Sequence, residues 1–374
     1  MEHRPHIAIL VPGGIGKEDN IPSLVDLISR IAGMYDVDIY SFSRLTPHPL
    51  LALHLCSVSF PPAVLGRNTF LKIIYFLWRI RKDHALKNFT IVHGFWVIGQ
   101  GIAAVLAGKL LRIPSVISLP GGDTIYLPAI GYGGMRNGVY RKIIRWCVGE
   151  ADRTVVLTNF QQRTLEANGV APKRLSVIPF GADILQFTFC PKPISEPLRL
   201  GFIGNLNLVK DPFTVIKVFS ILVRKFRCTL TIAGQDVLMG RVEGYARLLG
   251  VNEKIRWKGK VPHDAIPAIL QEIDLLMVAS LFEGEAVVVM EAFASGVVVV
   301  GTGVGLLADV GDDRVVVMPG DAEGLAAKIE ALLKQPHTIR ELQLSNRALA
   351  ENRSAEWTWL EYKNLYGEAS HQSY

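Results

Sequence analysis

Glu283 and Glu291 stand eight positions apart inside a stretch, Ile273 to Gly305, made mostly of valine, alanine, leucine and glycine. An apolar strand (Asp274–Ala279) is expected before them, an apolar segment between them, and a second buried strand opening at Val297. Ionised carboxylates are costly to bury without a partner, and a ligand can be that partner. If the intervening segment is helical, eight residues rise roughly 12 Å. Carboxylate pairs that cleave glycosides sit about 5 to 9.5 Å apart, so these two do not share one scissile bond. They suit the two ends of an extended ligand, and a nucleotide sugar has that shape. The plain alternative is that Glu283 caps the helix and Glu291 faces solvent.

Three glycine-bearing loops follow expected strands, where ligands of open α/β sheets gather. Pro12-Gly13-Gly14-Ile15-Gly16 lets backbone amides approach a phosphate. It matches neither the P-loop, since Lys17 is followed by Glu18, nor G-x-G-x-x-G, and a tight turn is the alternative. Gly204-Asn205-Leu206-Asn207-Leu208-Val209-Lys210 ends on a cation, which is either a phosphate ligand or an exposed lysine at a helix start. Leu119-Pro120-Gly121-Gly122-Asp123, with Tyr126 and Gly131-Tyr132-Gly133-Gly134, reads as a long, flexible, acid-tipped loop that orders around an acceptor. There Asp123 either bonds or deprotonates an acceptor hydroxyl, or caps the turn that follows. His93, ahead of Gly94-Phe95-Trp96, either lends an aromatic face to a sugar or is a structural strand-end histidine. Asp36-Val37-Asp38 spells D-x-D, but at the entry to a strand; it reads as solvent-facing alternation, and no catalytic metal is expected.

Short β-branched runs alternate with helix-length segments, the pattern of parallel α/β sheets. Strands are expected near 6–11, 37–41, 90–93, 114–119, 153–157 and 175–179, and helices near 22–34, 69–84, 98–111, 136–150 and 161–167. After the proline-rich linker Cys190–Pro197, a second strand series falls near 198–203, 229–233, 255–259, 275–279, 297–301 and 315–318. Two Rossmann-like domains facing a central cleft follow, residues 1–190 and 191–353.

The chain of 374 residues is large enough for two such domains, and its 49% hydrophobic content argues for packed cores. No apolar signal segment is visible at the N-terminus, and Cys56, Cys147, Cys190 and Cys228 form no C-x-x-C pair, so a cytoplasmic protein without disulfides or zinc is expected. Phe70–Ile80 is too short and too charged to span a bilayer. With Arg81 and Lys82 it forms a basic amphipathic helix, suited either to a core with a solvated outer face or to peripheral contact with the inner face of a membrane. The formal charge of +6 favours an acidic ligand or surface. Its basic residues are dispersed, without an aromatic-basic stripe, and nucleic acid is not expected.

Ser280, Glu283, Glu291, Ala292, Ala294 and Gly296 fall as in the E-x7-E signature of family 4 glycosyltransferases, retaining enzymes of the two-Rossmann-domain (GT-B) type, which the chain resembles over nearly its whole length. The resemblance implies a sugar transfer from a nucleotide-diphosphate sugar to a hydroxyl acceptor, with no cofactor or metal, in glycan or cell-envelope polysaccharide or glycolipid synthesis. It assigns Glu291 to the ribose, Glu283 to the donor sugar and Lys210 to the diphosphate. Gly204, Asn205, Gly284 and the helix-start residues Val287 and Val288 complete the donor site, while Gly13, Gly14, His93 and Asp123 belong to the acceptor domain. It also implies that the C-terminal helix (354–374) returns to the first domain. Departures are present: Asn205 replaces an arginine, Glu285-Ala286 an aromatic and a glycine, Val298 a proline, Gly305-Leu306 a double glycine and Asp309 a glutamate. Asn205 brings no charge to a phosphate, with Lys258 or Lys260 as candidate substitutes, and Glu285 repels a diphosphate unless turned away. The alternative function is a catalytically weak or inactive binding or scaffold subunit of the same fold.

Overall fold

The structure is a computed structural model, and it describes residues 4–16, 21–44, 46–52, 55–194 and 196–371. Lys17 and Glu18, named above, Ser195 of the proline-rich stretch, and the last residues of the expected C-terminal helix, 372–374, lie outside the described residues. The chain divides into two compact units, Met1–Phe180 with Ala355–Tyr374, and Gly181–Ser354. Each is an α/β unit with one parallel sheet.

In the first unit the strands are β1 (His6–Val11), β2 (Asp36–Ser41), β3 (Ser57–Ser59), β4 (Phe89–Phe95), β5 (Ser115–Ser118), β6 (Arg153–Val156) and β7 (Leu175–Val177), in the order β3-β2-β1-β4-β5-β6-β7. In the second they are β8 (Leu198–Ile203), β9 (Cys228–Ala233), β10 (Ile255–Gly259), β11 (Leu275–Val278), β12 (Val298–Thr302) and β13 (Val316–Val317), in the order β10-β9-β8-β11-β12-β13. Helices cover both faces of such sheets, so central strands are apolar throughout rather than alternating. Every residue of β1 and of β12 is buried. The order reverses between β1 and β4, and again between β8 and β11, and loops leaving the C-terminal ends of those strands diverge there to leave a crevice.

Side-chain oxygens close several helix starts. Asn68, Asn137, Thr158, Asp211 and Asp321 each accept from an amide in the first turn of the helix that follows. The C-terminal helix, Ala355–His371, lies in the first unit, where the Tyr362 and Tyr366 rings are fully buried. Its Thr358 hydroxyl donates to the Pro179 carbonyl at 2.7 Å.

Three elements differ from expectation. The edge strand β3 has only three half-buried residues, too few for a periodic signal. The helix expected from 98 starts regularly at Ile102, behind a wide turn over Val97–Gly101 that Trp96 (φ 64°) and Gly99 (φ 97°) force out of helical geometry. The proline-rich stretch after Cys190 is not where the units divide. The Cys190 amide donates to Ser295 O (3.1 Å), the Lys192 ammonium to Gln271 O (2.6 Å) and the Gln343 amide to Lys192 O (3.0 Å), which fasten it to the second unit.

Candidate active site

At the β8/β11 switch point of the second unit, the Lys210 ammonium donates to Glu283 Oε1 at 2.5 Å, and the Ser280 hydroxyl donates to the same oxygen at 2.6 Å. Lys210 ends the loop after β8, and its own amide is held by the Asn207 side chain at 3.0 Å. Ser280 and Glu283 belong to the loop after β11. The two loops are joined by Leu281 N–H donating to Val209 O (2.7 Å), and the second is tied to β12 by the Thr302 hydroxyl donating to Ser280 O (2.7 Å). A cation and a carboxylate 73 residues apart in the chain therefore meet because the sheet order makes β8 and β11 neighbours.

The floor of this loop cluster is built from close backbone approaches. A Cβ on Gly234 would lie 1.9 Å from the Gly204 carbonyl oxygen, so the loops after β8 and β9 can touch only through glycine. Asn205 uses its carbonyl oxygen to accept from Gln235 N–H (3.2 Å) in the same contact. The residue standing in place of an arginine thus braces a loop. Lys258, one candidate to replace the missing charge, is 3.0 Å from Glu272.

Helix Val287–Ser295 starts behind Ala286, which adopts φ 68° and gives no side-chain cap. Its first amides, at Val287 and Val288, therefore lie at the positive end of a nine-residue helix beside Gly284. The helix begins four positions after Glu283, so the 12 Å separation that assumed helix throughout does not hold. Glu291 lies on the buried side of this helix, 5% exposed, and its Oε1 is 2.7 Å from His263 Nε2. The His263 ring lies 5.7 Å from that of Phe187. Both glutamates thus have protein partners, which neither the ligand reading nor the cap-and-solvent alternative anticipated. His263 escaped the sequence reading; the available signal was its place just past the end of β10, at the sheet edge that carries Gly204 and Glu283.

Glu285 is turned inward. It is 2% exposed, and its Oε1 accepts from Gly181 N–H at 3.3 Å. Its carbonyl accepts from Leu306 N–H at 3.0 Å, and Gly305 (φ 56°, ψ −130°) is pressed so close that a Cβ would lie 2.8 Å from both Glu283 Cβ and Glu285 O.

In the first unit, Gly13 and Gly14 form a turn after β1, with Gly14 O accepting from Ile21 N–H at 2.7 Å and a Gly14 Cβ 2.8 Å from the Ile21 side chain. His93 is no sugar platform. It is fully buried, with Nδ1 2.7 Å from the Tyr366 hydroxyl and Nε2 2.8 Å from that of Ser118. Burial drives its pKa down to about 3, so the ring is neutral.

The Asp123 loop is neither open nor acid-tipped. It closes on itself through Leu127 N–H to Tyr132 O (2.7 Å) and Gly134 N–H to Gly122 O (2.9 Å). The Asp123 carboxylate points inward, with Oδ1 accepting from Val97 N–H at 3.1 Å and Oδ2 buried without a hydrogen bond. Burial pushes its pKa up to about 6, against the opposing pull of the Val97 amide. The D-x-D alternation is not solvent-facing at its second acid. Asp38 is fully buried between Lys87 (2.7 Å) and His6 (3.0 Å), with the Ser57 hydroxyl donating to it as well. Burial raises its pKa, and the bonds from His6, Lys87 and Ser57 outweigh that and hold it below the usual range. Among the described residues, no group of three or more His, Cys, Asp or Glu side chains is placed to hold a metal ion.

Two parallel-sheet units, one carrying a lysine–glutamate pair and an uncapped helix start at its switch point, make this a protein of the GT-B class. Comparison with known proteins narrows the class. The family model described as "Glycosyltransferase Family 4" matches residues 23–185, and that described as "Glycosyl transferases group 1" matches residues 190–352. The chain belongs to the family 4 glycosyltransferases.

Similar curated proteins include glycogen synthase of Mycobacterium tuberculosis, 25% identical over 266 residues (68% of this chain, 64% of the relative). Another is D-inositol 3-phosphate glycosyltransferase of Nocardia farcinica, 25% identical over 292 residues (72% and 64%). The chain thus spans just under two thirds of the length of these relatives. Among solved structures, sucrose-phosphate synthase from Thermosynechococcus elongatus shares the fold with a TM-score of 0.77 at 17% identity, covering 98% of this chain and 99% of that one. Anabaena HepE, solved in complex with UDP, has a TM-score of 0.75 at 15% identity, covering 97% and 100%.

Proposed function

We propose that the chain transfers a sugar, with retention of anomeric configuration, from a nucleoside-diphosphate sugar to a hydroxyl of a glycan or lipid-linked acceptor. The observation that carries this reading is the Lys210–Glu283 pair at 2.5 Å, set at the β8/β11 switch point beside the start of helix Val287–Ser295. The step needing help is departure of the diphosphate, whose negative charge grows as the glycosidic bond breaks. An ammonium has three donors. Lys210 directs one at Glu283 and keeps two directions for phosphate oxygens. The amides of Val287 and Val288 add the positive end of the helix, and Gly204 lets the diphosphate approach the backbone. Fixed donors aimed at developing charge are usually the largest contribution to such catalysis.

Glu283 has Oε1 occupied by Lys210 and Ser280, which orients Oε2 toward the hydroxyls of the donor sugar. Glu291, held by His263, accepts from the ribose hydroxyls. In the first unit, Asp123 is turned inward onto the Val97 amide with its second oxygen buried, so it takes no part in contacting the acceptor. In this reading the protein works in the cytoplasm, at the inner face of a membrane when the acceptor is lipid-linked. HepE, with UDP bound, illustrates that the fold accommodates a nucleoside diphosphate.

A thermal-shift screen of nucleotide sugars, followed by donor-hydrolysis kinetics, tests the reading. One donor should stabilise the protein, Glu291→Gln should weaken nucleotide binding, and Lys210→Ala should lower turnover by about 100-fold, the loss of a charge-assisted contact to the leaving group. Unchanged kinetics in both variants would refute the assignment.

A further inference from the structure

Helix Thr69–Lys87 of the first unit buries Ile73, Phe76, Ile80 and Asp83 along one side. The opposite side is exposed, and it is not polar. Phe70 (68% exposed), Leu71, Ile74 and Trp78 (57%) follow one another there at helical spacing, with Leu86 (78%) further along. Isolated exposed apolar residues are ordinary, but several large ones on a single helix face mark an interaction surface.

The charge on this helix selects the partner. Exposed Arg81 and Lys82 lie on the same outward side, and exposed Arg67 stands just before the helix starts. The single acid in the helix, Asp83, is buried and engaged by Arg79 and by the Tyr40 hydroxyl. The outward face therefore carries no acid. The Lys82 ammonium sits 5.7 Å from the centre of the Trp78 ring, so cation and indole occupy one level. Exposed aromatic and aliphatic groups flanked by cations, on a helix too charged to span, are the signature of a helix lying in a bilayer interface. Among the described residues, no helix is long and apolar enough to cross a membrane.

We infer that the outward face of Thr69–Lys87 docks on an anionic lipid surface, with Phe70, Leu71, Ile74 and Trp78 entering the headgroup–acyl boundary and Arg67, Arg81 and Lys82 meeting lipid phosphates. The inference is independent of the proposed reaction, since none of these side chains belongs to the donor site. A protein docked this way would meet a lipid-linked acceptor by diffusion in two dimensions.

The test uses the full chain and vesicles of phosphatidylglycerol and phosphatidylcholine, read by co-sedimentation and by tryptophan emission. Wild type should sediment with mixed vesicles and show a blue shift that the Trp78→Ser variant lacks. Phe70→Ser combined with Trp78→Ser should lower the partition coefficient at least about tenfold, because two interfacial anchors are lost. Arg81→Gln with Lys82→Gln should lower it about 25-fold on anionic vesicles at low salt, about fivefold per charge, and little on neutral ones. All four side chains are exposed, so each variant should keep the wild-type circular dichroism spectrum and melting temperature. Wild type that stays in the supernatant, or variants that sediment like wild type, would overturn the inference. So would a dimer in analytical ultracentrifugation that Phe70→Ser with Trp78→Ser dissociates, since the face would then be covered by a second copy of the chain.

Discussion

Gly305 and Gly311 flank one short helix, Leu306–Val310, and replacing each by alanine separates backbone strain from damage to the site. Gly311 has φ 61° and ψ 26°, a left-handed conformation that alanine adopts at about 1 kcal/mol. A Cβ there would meet only Ala308 O, at 3.8 Å. Gly305 has φ 56° and ψ −130°, a region nearly reserved for glycine, where alanine costs about 1–3 kcal/mol. Its Cβ would also fall 2.8 Å from Glu283 Cβ and from Glu285 O, and relieving such overpacking typically costs about 1–3 kcal/mol more. Gly305→Ala should therefore destabilise by about 2–6 kcal/mol, against about 1 kcal/mol for Gly311→Ala. Because the contact lies on Glu283 itself, it should also move that carboxylate off Lys210 and weaken donor binding more than tenfold. Chemical denaturation gives the first comparison, and nucleotide-sugar titration at a temperature where both variants are folded gives the second. Two variants alike in stability and in affinity would show that the close approach at Gly305 does not hold the Glu283 loop, and the argument would fail.

His263→Ala should weaken nucleotide affinity about tenfold by freeing the Glu291 carboxylate to rotate, and His263→Asn, which keeps a donor, should recover part of it; titration of both variants with nucleotide checks this. Asp123 and His93 oppose one another in their effect on acid stability. Burial raises the Asp123 pKa from 3.8 to about 6, so the fold holds a proton that the unfolded chain releases, and this contribution declines as pH rises from about 4 to 6, by about 3 kcal/mol in all. Burial lowers the His93 pKa from 6.5 to about 3, so the unfolded chain takes up a proton that the fold excludes, and stability falls as pH drops below about 6.5. Asp123→Asn should therefore be more stable than wild type at pH 7 and should lose stability more steeply between pH 6 and 4; parallel melting curves across that range would contradict the assigned burial energies.

The elements that position the site were largely legible because they are local. A continuous apolar run marks β1 and β8 at the bounds expected, and Pro22 opens its helix as the first-turn preference for proline predicts. Glu283 and Glu291 stood out because charges are rare within such apolar surroundings, whereas Lys210 stood out only through the resemblance to the family pattern. The inward turn of Asp123 was not legible. Its loop looked extensible from five glycines, yet those glycines allow it to close, since a Cβ on Gly134 would lie 2.3 Å from Asp123 O. The apolar outer face of Thr69–Lys87 was half visible: periodicity identified two sides, but not which side met the core.

From the order of residues alone came the two α/β series, the glycines at the strand ends and the two acids of the loop and helix after β11, all encoded within a few positions of one another. Which charge meets which was decided by the fold. Lys210 reaches Glu283 across 73 residues, His263 reaches Glu291 across 28, and Lys87 reaches Asp38 across 49. Parallel strands are joined by crossovers, so neighbours in a sheet are distant in the chain, and no short-range pattern records the order in which strands pair. Pairing of buried charge is a property of that order.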